Sequence, residues 1–291
     1  MAGRVGIVAD SACSLGADLA GREGVRLVPM QITLGGRTVS ETEVTQAEVV
    51  ANLGSGLSTA APSPGAFLRA IQDADQGAGV VVLTVSSKLS ATHTAALLAS
   101  GSTSTETLVV DTMTAAGAEG LVVLAARRAA EAGWGAREVA HRARAAAGQV
   151  RLIAAVESLE HLARTGRIPQ AAGWAGTHLG LQMMFELSGG RIRPSRPLRG
   201  ASRADEAMVN RLVQAERPSG ARLHVAGLHS CDQQDAVRLL ARLERSCRPH
   251  TSFVGSFGPV MLAHTGPGMR GLAWLWQPGQ ASDTGRTPPE P

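Results

Sequence analysis

The length, composition and charge of this chain exclude several classes of protein. At 291 residues, of which 44% are hydrophobic, the chain is long enough to form two domains with sizeable cores. Its net charge of +4 rests almost entirely on arginine, since Lys88 is the only lysine, and only 3% of the residues are aromatic. Nucleic acid is therefore not an expected partner, because proteins that bind single strands place aromatic stacking platforms among their basic residues.

Membrane spans, metal sites and disulfides are not expected either. No apolar run reaches the roughly 20 residues that a bilayer span needs, and the first residues lead into a strand without the apolar region of a signal peptide. Cys13, Cys231 and Cys247 are too widely spaced for a metal-binding pair or a disulfide framework. The sequence thus predicts a cytoplasmic protein without stable membrane insertion, metal or cofactor.

Predicted strands and helices alternate along the first half of the chain. The strands are Val5–Ala9, Leu27–Leu34, Val80–Val85 and Leu108–Val110, and the helices are Leu15–Arg22, Gln46–Leu53, Pro64–Ala74, Thr92–Ala99, Ala115–Glu131 and Ala136–Ala147. Pro29 makes the second strand an edge strand or a bent one. The alternation predicts an N-terminal α/β domain over residues 1–149, with a mainly parallel sheet flanked by helices.

Polar residues directly follow three of these strands, at Asp10-Ser11, Ser86-Ser87 and Asp111-Thr112. Parallel strands would bring all three pairs to one edge of the sheet, which is where ligands bind in open α/β sheets. We expect Asp10 and Asp111 to hydrogen-bond the turns that follow them without touching a ligand.

The hydroxyl-rich segment Ser86–Thr92 lies where a buried strand passes into a helix. The amides and the dipole of a helix N-terminus favour an anion there, which makes Ser90 a candidate contact to an anionic group. The alternative is that Ser90 only caps the helix.

Two remote segments add further candidates. Ser58–Gly65 is predicted to be a loop made rigid by Pro62 and Pro64. Far downstream, the apolar run Pro259–Ala263 leads into a glycine-rich turn that begins at His264. His264 either reaches a ligand or only caps this turn.

The second half of the chain mixes strands and helices less regularly. The predicted strands are Arg151–Val156, Leu181–Leu187, Arg191–Arg193, Leu223–Leu228, Ser252–Phe257 and Leu272–Trp276, and the helices are Ser158–Arg164, a stretch that ends at about Gly180, Ala201–Ala215 and Asp232–Arg245. Ser188-Gly189-Gly190 predicts a hairpin. The sequence therefore predicts a C-terminal mixed α/β domain over residues 150–277, and a disordered tail over residues 278–291.

Three ordered segments resemble motifs of the DegV family of bacterial fatty-acid-binding proteins. They are Thr59-Ala60-Ala61-Pro62-Ser63-Pro64, Ser86-Ser87-Lys88-Leu89-Ser90-Ala91-Thr92 and His264-Thr265-Gly266-Pro267-Gly268. The similarity runs from about Val5 to about Trp276. It implies a DegV-like fold of two α/β domains that holds a long-chain fatty acid, such as palmitate or oleate, in an apolar tunnel.

The same resemblance implies roles for individual residues. Thr59, Ser90 and His264 match the family residues that hold the fatty acid carboxylate. Arg199 and Arg167 match family arginines, and each either contacts the head group or a phosphate placed on it, or is an ordinary surface arginine. The family pattern implies a lipid-binding protein and not an enzyme. Such a protein serves lipid transport or presents its fatty acid to a separate fatty acid kinase.

Some positions depart from the family pattern. Ala60, Ala91, Thr165 and Gln182 replace residues frequent in the family, which bears on the head-group geometry and on docking with a kinase. The main alternative is an enzyme of the dihydroxyacetone-kinase-like fold group that acts on a small polar substrate, with His264 bound to the substrate carbonyl. The sequence has no P-loop motif and no clustered carboxylates for magnesium, which argues against this alternative.

Overall fold

The computed structural model of this chain describes residues 3–169 and 180–278. Its strands are β1 (Gly6–Asp10), β2 (Val25–Val28), β3 (Gln31–Leu34), β4 (Arg37–Ser40), β5 (Ser58–Ala60), β6 (Val80–Thr84), β7 (Thr107–Asp111), β8 (Arg151–Val156), β9 (Leu181–Ser188), β10 (Arg191–Pro194), β11 (Leu198–Arg199), β12 (Ala221–His229), β13 (Thr251–Ser256) and β14 (Arg270–Pro278). Its α-helices are α1 (Gly16–Arg22), α2 (Gln46–Asn52), α3 (Pro64–Ala74), α4 (Thr92–Ser100), α5 (Ala116–Glu131), α6 (Ala136–Gln149), α7 (Glu160–Arg164), α8 (Ala201–Val213), α9 (Gln233–Glu244) and α10 (Pro259–Thr265).

The predicted parallel sheet is present in the first half of the chain. Its strands lie in the order β2-β1-β6-β7, and every neighbouring pair is parallel. β6 is buried along its whole length, as its run of valines predicts for a central strand covered on both faces. The carboxyl ends of β1, β6 and β7 therefore meet at one edge, so the three polar pairs predicted to lie there do so.

The first half also contains a small antiparallel sheet in the order β4-β3-β5. Two sequence predictions are wrong in this region. The segment Leu27–Leu34 is not one strand but two, β2 and β3, which belong to different sheets. The break falls at Pro29, which has no amide hydrogen, and at Met30, whose amide donates to Ser11 Oγ instead of to a sheet partner. The start of the predicted loop Ser58–Gly65 is also a strand, in which Thr59 pairs with Ile32.

The second half forms a mixed sheet in the order β10-β9-β8-β14-β12-β13, with β11 paired to β9. All of its pairings are antiparallel except the parallel pair of β12 and β13. The predicted hairpin joins β9 to β10 through Gly189 and Gly190, whose φ angles of 57° and 79° are those of a tight hairpin turn that glycine adopts without strain.

Helix α5 packs against strands of both large sheets. Its close approach depends on small residues, since a Cβ at Gly117 would lie 2.6 Å from the Ala226 side chain and one at Gly120 would lie 2.6 Å from the Cys13 carbonyl oxygen. One apolar cluster accordingly includes residues of both halves of the chain. The predicted domain boundary at residue 149 falls between α6 and β8, and the division into two domains stays a prediction.

Two sequence predictions lie outside the described residues. The helical stretch expected before Gly180 falls largely on residues 170–179, and the disordered tail falls on residues 279–291 beyond the end of β14. Among the residues that are described, no helix is long and apolar enough to cross a bilayer.

Candidate functional site

A cavity of about 540 Å³ opens at the carboxyl edge of the parallel sheet. The turn after β6 and the start of α5 form one wall, while β8, β9 and β10 of the mixed sheet form another. The walls are completed by the small sheet and by α7 and α10. Its volume is within the range of small-molecule pockets.

Most of the side chains that line this cavity are apolar. They are Met30, Ala60, Ala61, Val85, Leu89, Ala91, Ala115, Ala116, Leu152, Leu162, Phe185, Leu187, Ile192, Phe257, Val260 and Met261. The polar side chains of the lining are Thr59, Ser90, Arg167, His264 and Thr265. Such a lining suits a long apolar ligand that carries one polar end.

Thr59 and His264 meet at the wall of this cavity. Thr59 Oγ1 lies 3.0 Å from His264 Nε2, a hydrogen-bonding distance between residues that are 205 positions apart. Thr59 is held by the pairing of β5 with β3, and His264 lies in the last turn of α10. The sequence expectation of a glycine-rich turn beginning at His264 is therefore corrected, because Pro259 starts a helix that continues through Thr265.

The imidazole of His264 is almost fully buried, and its environment favours the neutral form. Burial, with a smaller contribution from the positive charge of Arg167, lowers the pKa of His264 to about 3. Its Nδ1 atom is buried and has no hydrogen-bond partner in the described part of the chain. A neutral imidazole beside a threonine hydroxyl can orient a polar ligand group without adding a charge of its own.

Ser90 lines the same cavity just before α4. Its Oγ lies 2.8 Å from Thr92 Oγ1 and accepts a hydrogen bond from the Thr92 amide at 3.3 Å. Ser90 thus accepts a hydrogen bond from the first turn of the helix and also lines the cavity. Ser86 does not line the cavity, because its hydroxyl donates to the carbonyl of Gly190 in the β9–β10 turn.

The two candidate arginines, Arg167 and Arg199, lie in different environments. Arg167 lines the cavity, where its side chain is half-buried and donates to the carbonyl of Thr165 at 2.6 Å. Burial lowers the pKa of the Arg167 guanidinium from its ordinary value. Arg199 lies in β11, opposite Leu181, where it is exposed and outside the cavity lining.

Asp10 and Asp111 hold the turns at the strand ends, as expected. Asp10 accepts hydrogen bonds from the amides of Ala12 and Val85 at 3.0 and 2.8 Å. Asp111 accepts from the amides of Met113 and Ser87. Neither carboxyl group lines the cavity.

Glu41 is a structural contributor that sequence reasoning missed. Its side chain is buried and accepts hydrogen bonds from Ser11 Oγ and from the amides of Met30 and Val260. Glu41 thereby connects a cavity-lining residue of the first half, Met30, to the N-terminus of α10. Its surroundings in the sequence, Ser40-Glu41-Thr42-Glu43, are typical of a solvated turn and give no signal of this role.

Comparisons with known proteins identify the family of this chain. The model of the DegV family, described as an uncharacterised protein family, matches residues 4–277. A DegV domain-containing protein of Mycobacterium tuberculosis is 32% identical over 287 residues, which cover 97% of this chain and 98% of that one. A fatty acid-binding protein of Thermotoga maritima is 33% identical over 195 residues, which cover 66% of this chain and 67% of its own length.

Solved structures show the same fold. A DegV family protein from Thermus thermophilus, reported for its fatty acid binding, is 30% identical and superposes with a TM-score of 0.83 over 94% of this chain and 100% of its own. A protein from Thermotoga maritima, reported to reveal a fatty acid binding function, is 27% identical with a TM-score of 0.81 over 94% of this chain and 100% of its own.

Proposed function

The chain belongs to the DegV family, and on this premise we propose that it binds one long-chain fatty acid, such as palmitate or oleate, in the 540 Å³ cavity. The carboxylate lies at Thr59, Ser90 and His264. The observation that carries this proposal is the contact of 3.0 Å between Thr59 and His264 on the wall of a mainly apolar cavity that Ser90 also lines.

The acyl chain supplies the affinity. Each methylene group that leaves water contributes about 0.8 kcal/mol, so a chain of palmitate length gains on the order of 10 kcal/mol before the costs of association. Phe185, Leu187 and Val260 are among the apolar residues that receive it. A small polar substrate would leave this lining unused, which is why the enzyme alternative is not favoured.

The carboxylate fixes the orientation of the acid and selects acids over alcohols. In the tautomer with its proton on Nε2, His264 donates to Thr59 Oγ1, and the Thr59 hydroxyl is then free to donate to a carboxylate oxygen. Ser90 supplies a second hydroxyl from another segment of the lining. The positive charge of Arg167 attracts the carboxylate into the cavity, but Arg167 does not form a direct ion pair with it.

We infer that the chain carries its acid or presents it to a separate fatty acid kinase and does not transform it. The names of its relatives as fatty acid-binding proteins support this role. Incubation of the palmitate-loaded protein with ATP and magnesium should leave the acid unchanged. Formation of acyl phosphate by this chain alone would make it an enzyme.

Native mass spectrometry of the purified full chain tests the binding function. We expect an added mass that matches one long-chain fatty acid and disappears on denaturation. After removal of lipid, the protein should take up palmitate in preference to hexadecanol, which has a chain of the same length but no carboxylate. A protein without added mass that takes up neither palmitate nor oleate would refute the function.

A further inference from the structure

A second cavity of about 390 Å³ lies at the other end of helix α5. Ala116 near the start of α5 lines the fatty acid cavity, whereas Ala125 and Ala129 line this second one. Ala125 lies nine positions after Ala116, which is about 14 Å along the helix axis. The two cavities therefore open at opposite ends of the same buried helix and do not share the site described above.

The titratable side chains that line this second cavity are all basic. They are Arg128, Arg142 and Arg222, together with the imidazoles of His224 and His250. No aspartate or glutamate is among the described residues that line it. We call it the arginine pocket.

The basic groups of the arginine pocket bond mainly to uncharged partners. Arg128 donates to the side-chain oxygen of Gln277, and Arg222 Nη1 lies 3.3 Å from Nε2 of His250. Carboxylates outside the lining act on these arginines, since Glu138 pairs with Arg142 at 2.9 Å and the charges of Glu23 and Glu131 act on Arg128. Among the described residues of the lining itself, no carboxylate pairs with Arg128 or Arg222.

The two histidines of the arginine pocket, His224 and His250, contact each other. His224 Nδ1 lies 2.7 Å from Thr251 Oγ1, and the rings of His224 and His250 meet edge to face with their centroids 5.5 Å apart. Burial, with further contributions from Arg128, His250 and Arg222, lowers the pKa of His224 to about 4. A bound anion would relieve the repulsion among these groups.

The rest of the arginine pocket is apolar or aromatic. Ala129, Leu275 and Trp134 line it, and the guanidinium of Arg142 lies over the Trp134 ring, 4.5 Å from its centroid. The pocket thus combines cationic groups with an apolar and aromatic wall.

We propose that the arginine pocket binds a small organic phosphate. Arg128, Arg222 and His250 hold the phosphate, and its organic part lies against Trp134 and Ala129. Two guanidinium groups match a phosphate, which carries a charge of about −2 near neutral pH, better than they match a single carboxylate. The volume exceeds what an inorganic ion needs and leaves room for an organic group.

Titration of the palmitate-saturated full chain with phenyl phosphate tests this proposal, because palmitate keeps the probe out of the fatty acid cavity. We expect saturable binding by calorimetry, together with shifts of the His224 and His250 ring resonances in NMR spectra. Benzyl alcohol, an uncharged probe of similar shape, should give neither. Absence of saturable binding at millimolar phenyl phosphate, or binding that leaves both histidines unmoved, would overturn the proposal.

Variants of an exposed arginine make the test specific. Arg222→Ala should weaken phenyl phosphate binding at least about tenfold, and Arg222→Lys should weaken it less, because lysine keeps the charge but loses the planar fork. Arg137→Ala is the matched control, since Arg137 is an exposed arginine that pairs with Glu106 away from the pocket. Equal effects of Arg222→Ala and Arg137→Ala would contradict the assignment.

Discussion

The carboxylate of Glu41 accepts a hydrogen bond of 3.1 Å from the backbone amide of Val260, although the two residues lie 219 positions apart. Val260 belongs to the first turn of α10, and His264 lies at the other end of the same helix. Glu41 also accepts from the amide of Met30. One buried carboxylate therefore fixes the position of α10, and with it His264, relative to the first half of the chain.

Glu41→Gln should destabilise the protein and weaken fatty acid binding. The substitution replaces a charged acceptor by a neutral amide and leaves one of its backbone donors without a good partner. We expect a loss of about 2–3 kcal/mol in the free energy of unfolding, measured by urea denaturation. Glu244→Gln, at an exposed carboxylate in the last turn of α9, is the control and should change stability by less than about 0.5 kcal/mol. Equal stability of both variants would contradict this role.

Ser90→Ala should lower the affinity for palmitate about tenfold while the affinity for hexadecanol changes little. The physical reason is the loss of one hydrogen bond to a charged group, which contributes roughly 1.5 kcal/mol. Calorimetric titration of both lipids measures the effect. Ser87→Ala is the matched control, because Ser87 is exposed and does not line the cavity. If palmitate and hexadecanol lost affinity equally, Ser90 would have no part in carboxylate recognition.

Stability should depend on pH through His264. The pKa of His264 is about 3 in the folded protein, against about 6.5 in the unfolded chain, so the unfolded state takes up a proton first as the pH falls. Stability is then fully present above about pH 6.5 and falls between about pH 6.5 and pH 3, by up to roughly 1.4 kcal/mol per pH unit.

The variant His264→Gln isolates this effect. Asp10 has the opposite effect on stability. Burial raises its pKa to about 7, so the stability that it contributes while protonated is lost as the pH rises from about 4 to about 7. That contribution is common to the parent and the variant and cancels in their difference. The parent should lose stability more steeply than His264→Gln below pH 6.5. Parallel curves would show that His264 is not held neutral by burial.

Leu187→Trp should shorten the acyl chain that the cavity accepts. Leu187 is buried in β9 and lines the cavity, so a larger ring there occupies space that a long chain needs. We expect the affinity for stearate to fall more than the affinity for decanoate in competition binding. Leu98→Trp, at an exposed leucine of α4, should change neither. An equal loss for both acids would place the acyl chain elsewhere.

The sequence predicted the parts of the fold that depend on local patterns. The valine run of β6 and the polar pairs after β1 and β7 predicted a parallel sheet and the edge at which the cavity opens, because both depend on residues that are neighbours in the sequence. Helix α3 begins and ends as predicted at Pro64 and Ala74, since Ser63 and Pro64 form a clear N-terminal signal.

The features that the sequence did not predict depend on long-range contacts. Thr59 lies in a strand only because β3 offers it a partner, and a three-residue strand has no periodicity of its own. His264 lies in a helix because Pro259 can begin one, although the glycines after it indicated a turn. The buried state of Glu41 depends on amides from Met30 and Val260, which no local pattern reveals.

A crystal structure of the full chain with palmitate tests the central claim most directly. The account predicts one carboxylate oxygen within about 3 Å of Thr59 Oγ1 and the other at a similar distance from Ser90 Oγ, with His264 Nε2 still on Thr59. The acyl chain should run between Phe185, Leu187 and Val260. A carboxylate bound at Arg199, or a chain that lies outside this cavity, would contradict it.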